Sequence, residues 1–156
     1  MSIKRRTLLK QTLAASTVAL AAGAGALVPR AVFAMWPKAA FTARNVTEAL
    51  TGLVGTDASA ASEQITIKAP DIAENGAVVP VTVSTTLSNV ETISIVAANN
   101  PTPLTSNFIL GAGTEAFVST RIKMAKTAEV IAVVKADGNL YSTSKEVKVT
   151  IGGCGG

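Results

Sequence analysis

The chain has 156 residues, with 14 Lys and Arg against 10 Asp and Glu for a net charge of +4, a single cysteine and no histidine. Without imidazole there is no Ser-His or Cys-His nucleophile pair, no His metal ligand and no haem held through Cys-x-x-Cys-His. Residues 1–34 hold five of the basic residues (Lys4, Arg5, Arg6, Lys10, Arg30) and none of the acidic ones, which leaves nine against ten in the remainder, a net charge of −1; neither nucleic-acid binding nor a polybasic membrane contact is expected of it.

Lys4-Arg5-Arg6 precedes an Ala-, Leu- and Gly-rich stretch from Gln11 to Val28, then Pro29-Arg30, then Val32-Phe33-Ala34 with small residues where a signal peptidase reads. This order predicts an export signal over 1–34, cleaved after Ala34, and no membrane attachment after processing. An uncleaved anchor is the alternative, since the apolar run is about long enough to span a bilayer, but it is Ala-rich and ends in a cleavage-like sequence. Lys4-Arg5-Arg6-Thr7-Leu8-Leu9-Lys10 resembles the twin-arginine signal, with Arg5 and Arg6 as its pair; Lys4 stands where Ser or Thr is usual and Leu8 where Phe is commonest. A periplasmic location follows from that signal. The 122 residues that remain suffice for one domain with a core that needs no disulfide.

Residues 35–63 are expected to form an N-terminal segment with one short helix, from Arg44 to Leu53. Asn45 and Glu48 are spaced like a capping box, Val46, Ala49, Leu50 and Leu53 share a face, and Gly55 is a stop signal. Such a helix either binds a partner or, more commonly, covers an edge or face of its own sheet.

From Gln64 the period changes to two. Ile65 and Ile67, then Val79, Val81 and Val83, then Ile93 and Ile95, then Val147, Val149 and Ile151 alternate with polar residues, as half-buried strands do. Val130 to Val134 is continuously apolar, which predicts a central strand covered on both faces, and Asn107 to Leu110 and Ala116 to Lys123 supply two more. Turn signals stand at Asn75-Gly76, Asn99-Asn100-Pro101-Thr102-Pro103, Gly111-Ala112-Gly113 and Asp137-Gly138-Asn139. The expectation for 64–151 is therefore an all-β, immunoglobulin-like antiparallel sandwich. Pro80, inside a strand pattern, is expected at an edge or a bulge. Asp71 and Glu74 either contribute to a partner surface or carboxylate pair or, the favoured reading, sit in a solvated turn. No phosphate loop, dinucleotide fingerprint or metal-ligand spacing is present, so no cofactor is expected.

The chain ends Ile151-Gly152-Gly153-Cys154-Gly155-Gly156. Gly152, Gly153, Gly155 and Gly156 carry no Cβ, so 152–156 is predicted to be a flexible arm, thin enough to thread a narrow channel. Cys154 lies roughly 10 Å beyond Ile151 if the chain is extended, and the whole tail reaches about 15–18 Å. At a reference pKa near 8.5, about 3% of a thiol is thiolate at neutral pH, and no Lys or Arg adjoins Cys154 in sequence; the terminal carboxylate discourages ionisation, so activation has to come from a partner's site. Two classes of lone-thiol protein fit this tail poorly. An adaptor using Cys154 only for an intermolecular disulfide leaves the glycine arm unexplained. A cysteine enzyme would need a base and a rigid pocket.

With these pieces in place, the chain resembles the SoxY family, the sulfur-carrier subunits of the periplasmic thiosulfate-oxidising (Sox) system. The resemblance rests on Asn45-Val46-Thr47-Glu48-Ala49-Leu50, on 70–81 (Pro-Asp-Ile-Ala-Glu-Asn-Gly-Ala-Val-Val-Pro-Val), on 117–124 (Phe-Val-Ser-Thr-Arg-Ile-Lys-Met), and on Lys145-Glu146-Val147-Lys148-Val149-Thr150-Ile151 with the Gly-Gly-Cys-Gly-Gly ending. It implies a non-catalytic carrier with Cys154 as the covalent attachment point for thiosulfate-derived sulfur. It also implies a heterodimer with SoxZ and transient contacts with a c-type cytochrome, a sulfate-releasing hydrolase and a sulfur dehydrogenase.

Overall fold

Val and Ile alternating with Thr, Ser and Lys make ribbons apolar on one face, and two such ribbons bury that face only against each other. The computed structural model describes residues 37–152. The expected signal over 1–34 with Arg5 and Arg6, and Gly153, Cys154, Gly155 and Gly156, lie outside the described residues. Within them the chain runs α1 (Lys38–Thr42), α2 (Val46–Val54), β1 (Ala60–Ala61), β2 (Ile65–Lys68), β3 (Ile72–Asn75), β4 (Val79–Thr85), β5 (Val90–Ala97), β6 (Leu104–Ile109), β7 (Phe117–Ile122), β8 (Ala128–Ala136) and β9 (Asn139–Ile151). The larger sheet has the order β1-β9-β8-β5-β6, with β3 also on β9; the smaller is β2-β4-β7. Together they form the immunoglobulin-like sandwich expected from the sequence.

Between the sheets Val79, Val81, Val83, Ile93, Ile95, Val130, Val134 and Val147 are wholly buried, with Met124 among them. Each such aliphatic side chain contributes about 1.5–3 kcal/mol by leaving water. The apolar run in β8 works as expected: Val130, Ala132 and Val134 face this core, whereas Val133 faces a second one on the outer side of the same sheet. There Ala49 and Leu50 of α2, with Ala40 of α1, cover Val96, Leu104 and Val133. The helix therefore covers a face of its own sheet. Asn45 caps it, its side chain accepting the Glu48 N–H at 2.8 Å, and Gly55 ends it at φ 84° with its N–H on the Thr51 carbonyl.

Three details depart from the expectations. The segment read as a solvated turn contains strand β3, which pairs parallel to β9 with Ile72 opposite Lys148 and Asn75 opposite Ile151. Parallel pairing to a strand over 70 residues away leaves no local signature. Pro80 stands in the middle strand of the smaller sheet, not in an edge strand; β2 pairs only with Thr82–Thr85, so at Pro80 the strand has a neighbour on the β7 side alone and no ladder bond is forfeited. Finally, α1 and β1 had no counterpart in the sequence reading.

Candidate functional site: the root of the C-terminal arm

β9 is the longest strand and the one that leads to Cys154. Its first nine residues pair antiparallel with β8, from Asn139 opposite Ala136 to Val147 opposite Ala128. Its last four, Lys148 to Ile151, have left β8 behind and are held by β3 on one side and by the 123–127 loop on the other. The Val149 N–H donates to Thr127 Oγ1 at 2.9 Å, and Thr150 Oγ1 donates to the Glu74 carbonyl at 3.0 Å. The Ile151 carbonyl accepts the Gly76 N–H at 2.8 Å, and the Gly76 carbonyl in turn accepts the Met124 N–H at 2.7 Å. Since Met124 is wholly buried, this relay ties the exit point of the tail to the core.

Gly152 follows directly, packed so closely against the Ala125 carbonyl oxygen that a Cβ there would collide with backbone. The glycine is required by that approach. Ala125 is itself placed by Asn100, whose Oδ1 accepts the Ala125 N–H at 2.9 Å while its Nδ2 donates to the Lys123 carbonyl at 2.7 Å. One amide side chain thus satisfies two backbone groups of a loop that would otherwise need water.

Of the residues singled out in sequence, Gly152 is the one arm residue within the described part. The carboxylates Asp71 and Glu74 are not brought together as a pair. Asp71 takes an ion pair from Lys145 at 2.9 Å, and Lys145 Nζ also donates to the Ala69 carbonyl at 2.6 Å, pinning the segment that crosses from β2 to β3. Residues missed in sequence are Asn100, Ala125 and Thr127, which hold the root of the arm. Asn100 carried only a turn signal, and its partners lie 23 and 25 residues on, beyond any local pattern. Ile151 and Val78, both near the exit, and Ile72 are exposed apolar side chains.

The described residues thus define a small β-sandwich whose longest strand is clamped at its end and runs straight into a tail bearing the chain's single thiol. The sequence profile described as "Sulfur oxidation protein SoxY" matches residues 50–154, ending on Cys154 itself. The chain belongs to the SoxY family of sulfur oxidation proteins. Among solved structures it is similar to the sulfur carrier protein SoxY from Chlorobium limicola f thiosulfatophilum, at 43% identity and a TM-score of 0.61 over 67% of this chain and 94% of that one. A weaker likeness, to superoxide reductase (neelaredoxin) from Ignicoccus hospitalis, stands at 18% identity and a TM-score of 0.49 over 56% and 80% of the two chains, too low to bear on function. No curated protein sequence gives a match.

Proposed function

We propose that this protein is the covalent sulfur carrier of a thiosulfate-oxidising system, with Cys154 as its attachment point. The observation that carries this reading is the family match running to Cys154 in a chain with no other thiol. Thiosulfate joins the thiol with loss of a proton and two electrons to a c-type cytochrome, giving Cys154-S-S-SO3−. Water then releases sulfate and leaves the persulfide Cys154-S-SH. A sulfur dehydrogenase takes six electrons from the outer sulfur, with three waters supplying oxygen, and a second hydrolysis of the resulting Cys154-S-SO3− returns the thiol and another sulfate.

The carrier contributes presentation and no catalysis. Gly153, Gly155 and Gly156 let the thiol enter partner sites, and activation of the thiol comes from those sites because no Lys or Arg adjoins Cys154 in sequence. The working location is the periplasm, reached through the Arg5-Arg6 signal. SoxZ is the expected stable partner in a heterodimer, which the open edges of two small sheets favour.

The test is intact mass spectrometry after incubation with thiosulfate and the partner cytochrome. The expected result is one thiosulfate-derived group on the native chain and none on Cys154→Ser, which retains the native melting temperature. Loading of Cys154→Ser, or a native chain found only as disulfide dimers, overturns the reading.

A further inference from the structure

Asn75-Gly76 is the chain's one Asn-Gly pair. An Asn side-chain amide is open to attack by the backbone nitrogen of the next residue, and a following glycine, with no Cβ in the way, is the least obstructed nucleophile. The Gly76 nitrogen gives up its proton and bonds to Cγ of Asn75, and ammonia leaves. Water then opens the five-membered imide at one carbonyl to aspartate or at the other to isoaspartate. No electrons are exchanged, and water is the only co-reactant.

The local structure both prepares this reaction and blocks it. Asn75 is exposed, and its Oδ1 accepts the Ala77 N–H at 2.8 Å, a donor aimed at the oxygen on which charge develops when Cγ is attacked. The nucleophile is locked instead. Gly76 is buried, its N–H donates to the Ile151 carbonyl at 2.8 Å, and its own carbonyl accepts the Met124 N–H at 2.7 Å. Ring closure needs that N–H proton removed and the backbone turned about Asn75, which is fixed by pairing with Ile151. The contact that has to open is therefore the one that holds the root of the arm.

We propose that Asn75 is a deamidation site gated by the arm root, closed while Ile151 is seated on β3 and open when the end of β9 detaches. The product acts back on the gate. Isoaspartate adds a carbon to the main chain between Asn75 and Gly76, so that Gly76 no longer meets both Ile151 and Met124, and the tail loses its clamp for good. Ordinary aspartate keeps the backbone and an acceptor for Ala77, and leaves the clamp in place. The gate belongs to the body of the protein and operates whether or not Cys154 carries sulfur.

Peptide mapping by tandem mass spectrometry tells asparagine, aspartate and isoaspartate apart at residue 75 as the folded chain is incubated at mildly alkaline pH. Isomerisation of Asp137, in the one Asp-Gly pair, is the internal reference, since its Gly138 N–H is held by Glu91 at the far end of β9. In denaturant, conversion of Asn75 is expected to run at least about a hundredfold faster than in the folded chain, where it waits on local opening. Thr150→Val removes the hydroxyl that donates to the Glu74 carbonyl, and Gly152→Val crowds the Ala125 carbonyl. Each should speed conversion in the folded chain at least about fivefold, together with hydrogen exchange at the Gly76 amide, and leave Asp137 as it was. Chains separated after conversion should exchange the Val149 amide faster when residue 75 is isoaspartate and at the native rate when it is aspartate. Equal conversion in folded and denatured chains overturns the proposal by showing no gate. Conversion unchanged in both variants, or raised equally at Asn75 and Asp137, overturns it by showing that the arm root does not set the rate.

Discussion

The two ends of β9 are held by opposite means. At Asn139 the strand enters from a tight turn whose residues state their own geometry: Asp137 at φ 50° and Gly138 at φ 74° make the left-handed pair that a two-residue hairpin requires. Neighbouring side chains finish the job. Asn89 donates to Asp137 at 2.8 Å, Glu91 takes the Gly138 N–H at 3.1 Å, and Lys135 pairs with Glu91 at 2.7 Å. At Ile151 there is no turn to set the geometry, and distant loops hold the strand mostly through backbone groups, with Asn100 as organiser. The hairpin end is determined locally and the arm end by tertiary contacts. Changes at the first should therefore cost stability alone, and changes at the second should cost delivery of the thiol as well.

The largest effect is expected at Gly152. Gly152→Val drives a branched side chain into the Ala125 carbonyl, costing about 1–3 kcal/mol of stability, and should slow loading by partner enzymes at least about tenfold, or roughly 1.4 kcal/mol in the barrier. Gly153→Val and Gly155→Val should slow loading to a similar extent with an unchanged melting temperature and less than about a twofold change in alkylation by a small reagent. Parallel denaturation, alkylation and loading assays separate the cases. If Gly152→Val behaved like Gly153→Val in stability, the root would not be clamped.

Next in size, Asn100→Ala strands two backbone groups and should cost about 1–3 kcal/mol. Amide exchange should speed up at Ala125 and Val149 and not at Gly138, and a uniform increase would erase the distinction between the ends. At the hairpin, Gly138→Ala forces a Cβ into left-handed backbone for about 1 kcal/mol. Enzymatic loading of that variant should match the native chain, and a loading defect would show that the two ends communicate.

The smallest effect concerns Glu91, whose carboxyl is held below its ordinary value of 4.5 by the Lys135 ammonium first and the Gly138 N–H second. A carboxyl depressed in the folded state stabilises the fold above its unfolded value, and that contribution is lost as pH falls through the folded one. Glu91→Gln should therefore lower the melting temperature slightly at neutral pH and flatten its acid limb below 4.5, the two chains converging as pH falls. An acid limb identical to that of the native chain would mean the pair contributes nothing.

How far the sequence reveals all this follows the same division. β4, β5 and β8 declare themselves because their own residues meet the core: Val79, Val81 and Val83 alternate, and Val130 to Val134 is apolar on both sides because two cores flank it. The helix is legible through Asn45, Glu48 and Gly55, all local signals. The first half of β9 is not, since Leu140 to Thr143 are only partly buried and show no strict alternation. β3 stays hidden because its partner strand lies far along the chain, and the root clamp because Asn100, Gly76 and Thr127 gain meaning only once folding assembles them. For the site, the sequence exposes the lone thiol and conceals the contacts that hold the root of its tail.

The pairing of β9 has a mechanical corollary. If the tail is drawn into another protein's channel, as the proposed function requires, tension runs along the axis of β9, nearly perpendicular to its hydrogen bonds with β8, β1 and β3. Load applied in that direction is shared by the rungs in shear, whereas a peeling force would open them one at a time. Under the proposed function the strand would serve as a tow line anchored over thirteen residues, letting the tail be pulled without the sheet beginning to unzip.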